Sequence, residues 1–235
     1  MEREYKKHGF FSFSDSRNRE LWCLKHGESE INTVCRVLEV SKKEIRTRAE
    51  EDKVIINGII ADDTAKLPFV SREEREKLAK DKVVLIEKAY VRKWKGLTTL
   101  YIDKNTKLIE KDIDFPSCSE LVKPKKRTIA EIVGCEGAFD VIVAGDIVSS
   151  EKGDKRVLDD GTGALFLDVL GEKGVDIGFG MPVKARGNVV ESERGYVLMA
   201  EEARIKGEEF VMAELKKFLC RYTGYFLLYI TYNSF

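Results

Sequence analysis

Apolar and polar positions alternate with a period of two through short runs over most of the chain, which predicts strands rather than helices. The run Val34-Cys35-Arg36-Val37-Leu38-Glu39-Val40 reads as a strand that continues past Ser41-Lys42-Lys43 into Ile45-Arg46-Thr47-Arg48. Residues 53–60 and 66–70 form a hairpin around Asp62-Asp63-Thr64, where Asp supplies local hydrogen bonds for the reversal. Residues 72–80 are charged and free of Gly and Pro, with Ser71 as a cap, which predicts a short helix. A second hairpin, 82–91 with 97–102, turns around Arg92-Lys93-Trp94-Lys95-Gly96. Further on, 128–133 reads as a helical turn, 138–148, 154–158 and 164–169 as three strands, and 183–190 and 196–200 as two more. The glycine-rich 170–180 stretch between them is expected to lack a full helix. Residues 208–220 have helical spacing, with Phe210, Val211, Leu215, Phe218 and Leu219 on one face, and 225–230 is an apolar, β-prone tail.

The pattern occurs twice. Asp159-Asp160-Gly161-Thr162-Gly163-Ala164-Leu165-Phe166-Leu167 is echoed by Ala61-Asp62-Asp63-Thr64-Ala65-Lys66-Leu67-Pro68-Phe69, about 98 residues earlier, a domain-sized offset. Downstream of each turn, Ala89-Tyr90-Val91-Arg92-Lys93-Trp94-Lys95-Gly96 matches Gly187-Asn188-Val189-Val190-Glu191-Ser192-Glu193-Arg194-Gly195 with one residue inserted. Three strands, a helix and two strands is the element order of the OB-fold. The expected fold is mainly β: two tandem OB-fold five-stranded Greek-key barrels with short helices and a C-terminal helix. The expected division is an irregular segment 1–30, a first barrel 31–115, a linker 116–127, a second barrel 128–206, and a C-terminal helix and tail 207–235. The acidic turns at 62–63 and 159–160 read as hairpin turns that need no ligand.

Composition narrows the function. Lys plus Arg and Asp plus Glu each number 41, so the net charge is zero and a generic polyanion binder is disfavoured, though a local basic groove is not. The charged N-terminus has no apolar core behind it and no apolar run approaches ~20 residues, so neither a signal peptide nor a membrane span is expected. Five scattered cysteines suit reduced thiols in a cytoplasm. Cys23 and His26 have metal-ligand spacing and Cys35 lies further on, but a tetrahedral zinc site takes four ligands and the second pair is missing, so no metal or other cofactor is expected. Nor is an enzyme, or a small-molecule substrate. The acidic pairs sit on turns, His8 and His26 lie outside the barrels, and Cys118 and Cys135 lack a partner histidine.

Several motifs together carry a resemblance. Gly58-Ile59-Ile60-Ala61-Asp62-Asp63-Thr64 and Val84-Leu85-Ile86-Glu87-Lys88-Ala89-Tyr90-Val91-Arg92-Lys93-Trp94-Lys95-Gly96 resemble the OB-folds of the archaeal replication protein A family. So do Ile129-Ala130-Glu131-Ile132-Val133, Gly137-Ala138-Phe139-Asp140-Val141 and Val157-Leu158-Asp159-Asp160-Gly161-Thr162-Gly163-Ala164. The resemblance spans about residues 31–205. It implies single-stranded DNA binding in replication, repair and recombination. The chain departs from the family in having no zinc ribbon at 149–155, no second aromatic beside Phe69, and a tail without a counterpart.

Single-strand binding needs cations for phosphates and exposed rings for bases. The candidates in the first barrel are Tyr90, Arg92, Lys93, Trp94, Lys95 and Tyr101 on one hairpin. Phe69 faces either groove or core, and Arg46 and Arg48 line either the track or a solvated edge. In the second barrel they are Phe166, Lys184, Arg186 and Tyr196, although its hairpin loop Glu191-Ser192-Glu193-Arg194 is acidic and lacks a ring. The rival reading is an accessory scaffold whose barrels and C-terminal helix hold proteins. Residues 208–230 are expected to associate with a second copy or, as the resemblance implies, with other replication protein A subunits.

Overall fold

The computed structural model describes residues 18–46, 52–151, 155–170 and 177–205. Arg48 and the expected helix and tail at 208–230 lie outside them. Strands β1 (Ile31–Arg46), β2 (Asp52–Ala61), β3 (Lys66–Ser71), β4 (Val83–Trp94) and β5 (Leu97–Ile102) hydrogen-bond in the order β1-β2-β3-β5-β4, and β4 closes the ring on β1. Only β3 and β5 run parallel within that ring. After β6 (Lys107–Glu110), α1 (Cys118–Leu121), β7 (Lys125–Lys126) and α2 (Ile129–Gly134), the arrangement repeats. Strands β8 (Ala138–Glu151), β9 (Lys155–Asp159), β10 (Ala164–Val169), β11 (Pro182–Ser192) and β12 (Gly195–Ile205) pair as β8-β9-β10-β12-β11, with β11 closing on β8 and β10 parallel to β12. These are two closed five-strand OB-fold barrels in tandem.

Alternation fills each barrel. In β4, Val84 and Ile86 point inward; Lys88, at φ 62°, opens a bulge that resets the alternation, so that Ala89 and Val91 are also buried. They join Ile60, Phe69 and Leu100 in the first core, while Val143, Ile147, Leu158, Leu167 and Leu198 build the second. A bulge after Val37 in β1 sends Leu38 to the outside of the barrel, where it is buried with Ala61 and Leu121 from α1.

Each barrel is plugged at one end by a short helical turn. Ile129 and Ile132 of α2, which a Thr128–Glu131 capping box starts, lie in the second core. In the first barrel the plug is a 3-10 turn at Leu21–Cys23, with Leu21 and Leu24 buried, inside the segment read from sequence as irregular.

The expected helix over 72–80 is not formed; the chain crosses from β3 to β4 in turns. Leu78 is the one large apolar side chain there that reaches the core, and the residues from Arg72 to Glu74 are exposed. A surface helix is held by an apolar stripe recurring every turn, and one anchor does not make a stripe. Among the described residues no helix is long and apolar enough to cross a membrane.

Candidate nucleic-acid interface

Strand pairing gathers the first barrel's candidates on the outer face of the β4–β5 hairpin. Tyr90 stands opposite Tyr101, Arg92 opposite Thr99 and Trp94 opposite Leu97. Period-two alternation turns Ala89 and Val91 inward and therefore Tyr90, Arg92 and Trp94 outward. Lys95 and Gly96, at φ 52° and 79°, form the two-residue turn that closes the hairpin, a conformation glycine adopts without strain. Trp94 thus ends a strand rather than occupying a loop.

Rings and cations are interleaved on this face. The Tyr90 and Tyr101 rings stack with centroids 5.3 Å apart and planes 17° from parallel. The Arg92 guanidinium lies 5.6 Å from the Tyr90 centroid, and the Lys95 ammonium 4.8 Å from that of Trp94. Trp94 is 52% exposed, unusually high for a ring of its size, so its surface is available to a ligand. Val70, opposite Tyr101 on β3, and Asn57, opposite Val70 on β2, extend the row across the sheet. His26 adjoins the face as well, its Nδ1 accepting the Lys93 amide at 3.1 Å. Its position in an irregular segment gives no sequence signal for this.

Several candidates are placed elsewhere. Phe69 is fully buried and points into the barrel opposite Gly58, which corrects the option that it faces the groove. A side chain at Gly58 would meet the Glu39 carbonyl oxygen at 1.9 Å and the Phe69 ring at 2.7 Å, so glycine is what admits the close approach of the β1 backbone and, with it, the ring. Lys93 turns to the other face of β4, where its ammonium pairs with Glu191 and lies 3.8 Å from Glu136 of the second barrel. Arg46 ends β1 opposite Asp52.

The second barrel sets Lys184 and Arg186 on one face of β11 but brings neither of its candidate rings beside them. Phe166 lies half-buried on the outer face of β10, opposite Val157 and Val197. Lys184 is exposed on β11 but opposite Ala144 and Arg204, far along β12 from Val197. Arg186 donates to both Asp140 oxygens, at 2.6 and 3.1 Å. Tyr196 packs against the second core, and burial, with Glu191 adding to it, pushes its hydroxyl pKa up.

Comparison with known proteins bears on the first barrel. Residues 24–110 match the model of a family described as single-stranded DNA binding protein Ssb-like, OB fold. No curated protein matches the chain. Similar solved structures include the OB domain of Ta0387 from Thermoplasma acidophilum, at 20% identity and TM-score 0.38 over 42% of this chain and 90% of that one. A replication protein A heterotrimer bound to single-stranded DNA is similar at 15% identity and TM-score 0.38, over 81% of this chain and 52% of that one. A murine DNA-binding protein bound to double-stranded DNA gives 14% and 0.38, over 74% and 97%. None of the three is close enough to bear on function.

Proposed function

We propose that the chain is a non-enzymatic single-stranded DNA-binding protein whose first barrel carries the contact, through Tyr90, Arg92, Trp94, Lys95 and Tyr101. The observation that carries this reading is the alternation of exposed rings and cations along one sheet face, within the residues that match the single-stranded DNA-binding family. Rings that stack on any base, with cations beside them for phosphates, bind without strong sequence preference. Protection of single strands in replication, repair and recombination, in the manner of replication protein A, is the role the sequence resemblance supports. Arg186 has its charge taken up by Asp140, which favours a supporting role for the second barrel. Residues 208–230 are assigned to association between chains.

The test is a titration of a fluorescent single-stranded oligonucleotide at two salt concentrations, with duplex of the same sequence as competitor. Tight binding that weakens with salt and resists duplex competition is expected. No binding, or equal competition by duplex, overturns the assignment.

A further inference from the structure

A second charged cluster is buried between the barrels. Lys66 of β3 is 8% exposed, and its ammonium donates to the Val122 carbonyl at 2.6 Å and to the Asp140 carboxylate of the second barrel. Asp140 also accepts the Arg186 pair. Burial works against the charged form of Asp140, but the hydrogen bonds from Arg186 and Lys66 outweigh it and hold the carboxyl below its ordinary range. Separating the barrels would break the Lys66–Asp140 ion pair and its hydrogen bond, while removing either partner with the barrels docked would leave the other buried charge short of its counter-charge. Asp140 is held for this contact at φ 47°, a left-handed backbone that Asp tolerates better than most residues, and its amide is fixed by the Asn188 side chain at 2.8 Å.

Independent ties cross the same junction. Trp22, from the first barrel's plug, packs against both cores, with the Arg127 guanidinium 4.1 Å from its ring centre. Arg127 donates to the Thr64 carbonyl at 2.5 Å, and Lys125 to that of Asp63. Lys93 reaches across to Glu191. The connection has little slack: Leu121 is buried on the first barrel, and a few residues later Lys125 is in register with Val141 of β8. The crevice lined by Trp22, Lys66, Arg127 and Asp140 holds about 10 Å³, room for roughly one water molecule.

We propose that the two barrels are clasped into one rigid body before any ligand arrives, with Lys66 as the positioning residue. A strand long enough to touch both barrels then binds without first ordering them, and preorganisation of that kind appears as affinity. The clasp stands on the junction alone; its effect on long strands rests on the DNA-binding reading above.

The experiment is single-molecule energy transfer on the full chain, with dyes attached through non-natural amino acids at the exposed positions Lys104 and Glu193. The unmodified junction should give one narrow distance distribution, unchanged on adding oligonucleotide. Lys66→Met should broaden it, and Lys66→Arg should restore it. In parallel, Lys66→Met should weaken an oligonucleotide of about 24 nucleotides roughly tenfold or more, while leaving one of about 8, within reach of a single barrel, unchanged. Circular dichroism establishes that the variant is folded; should Lys66→Met not fold, Lys93→Met at the junction's rim takes its place with the same expected broadening. A broad distribution in the parent chain that narrows on DNA, or one unmoved by the substitution, overturns the clasp. Equal weakening of both oligonucleotides overturns the positioning role. If the parent binds no oligonucleotide, the DNA reading fails, and the distance distribution still decides the clasp.

Discussion

Ile129 donates its backbone N–H to the Asp160 carboxylate at 2.8 Å, and Leu21 does the same to Asp62, also at 2.8 Å. The next residue repeats the match: Ala130 donates to the Thr162 hydroxyl at 3.1 Å, and Trp22 to that of Thr64 at 3.2 Å. Each Asp-x-Thr turn is thus a clamp for the helical turn that plugs its barrel. Its other carboxylate oxygen is engaged by the turn itself, by the amide and hydroxyl of Thr64 or of Thr162. The repeated acidic turn is a structural device whose lone pairs are used internally.

Removing one clamp should loosen one plug. Asp160→Ala leaves the first amide of α2 without its acceptor, a loss comparable to a helix cap, on the order of 1–2 kcal/mol. Denaturant unfolding followed by circular dichroism measures it. An unchanged midpoint would mean that the Asp160 carboxylate adds nothing to what the apolar packing of Ile129 and Ile132, the Thr162 contact and the capping box already supply.

Trp94→Ala should weaken single-strand binding by about 1–3 kcal/mol while leaving thermal stability nearly unchanged, because the ring is exposed. Phe69→Ala should do the reverse, costing about 3–5 kcal/mol of stability through the cavity it opens in the first core. Oligonucleotide titration and thermal melts of both variants check the pair. Equal affinity of Trp94→Ala and the parent chain removes that ring from the interface.

The contrast between those two aromatics shows what alternation can and cannot tell. In β3, Leu67 and Phe69 face inward, but Pro68 and Val70 on the outer face are apolar too, so the period was legible and its sign was not. In β4, the buried Ala89 and Val91 alternate with the outward Tyr90 and Arg92, and the charge of Arg92 marks the side that meets water. The basic residues Lys93 and Arg186 read as a nucleic-acid track because their acidic partners are remote in sequence, 98 and 46 residues away. Lys66 was invisible for the same reason, since a lysine next to a turn reads as surface until Asp140, 74 residues on, is brought against it. The first barrel's plug escaped because a three-residue 3-10 turn has no period to detect.

The clasp should be sensitive to acid. The folded-state pKa of Asp140 lies below its unfolded value of about 3.9, so between the two the unfolded chain binds more protons. Its contribution is therefore complete above the unfolded value and is lost as pH falls through the folded one. Asp140→Asn should lower stability at neutral pH by on the order of 3 kcal/mol, because Lys66 and Arg186 lose their counter-charge. The same variant should have a shallower decline of stability between about pH 5 and pH 2 than the parent chain. Urea unfolding across that range tests both statements. Parallel pH profiles for the two proteins would show that Asp140 is not a titrating tie.

Deleting residues 208–235 should reduce the mass of the particle in solution. Both barrels close within the described strands, β12 ending at Ile205. The deleted residues include the apolar set Phe210, Val211, Leu215, Phe218 and Leu219 and the run Tyr225-Phe226-Leu227-Leu228-Tyr229-Ile230. An apolar run of that extent, if its own barrels leave it uncovered, offers an interface. Light scattering of the full and shortened chains at matched concentration reads the outcome, with oligonucleotide titration as a control on the barrels. A lower mass with single-strand binding retained supports association through this segment. An unchanged mass together with a lowered melting temperature would assign it instead to covering its own second barrel.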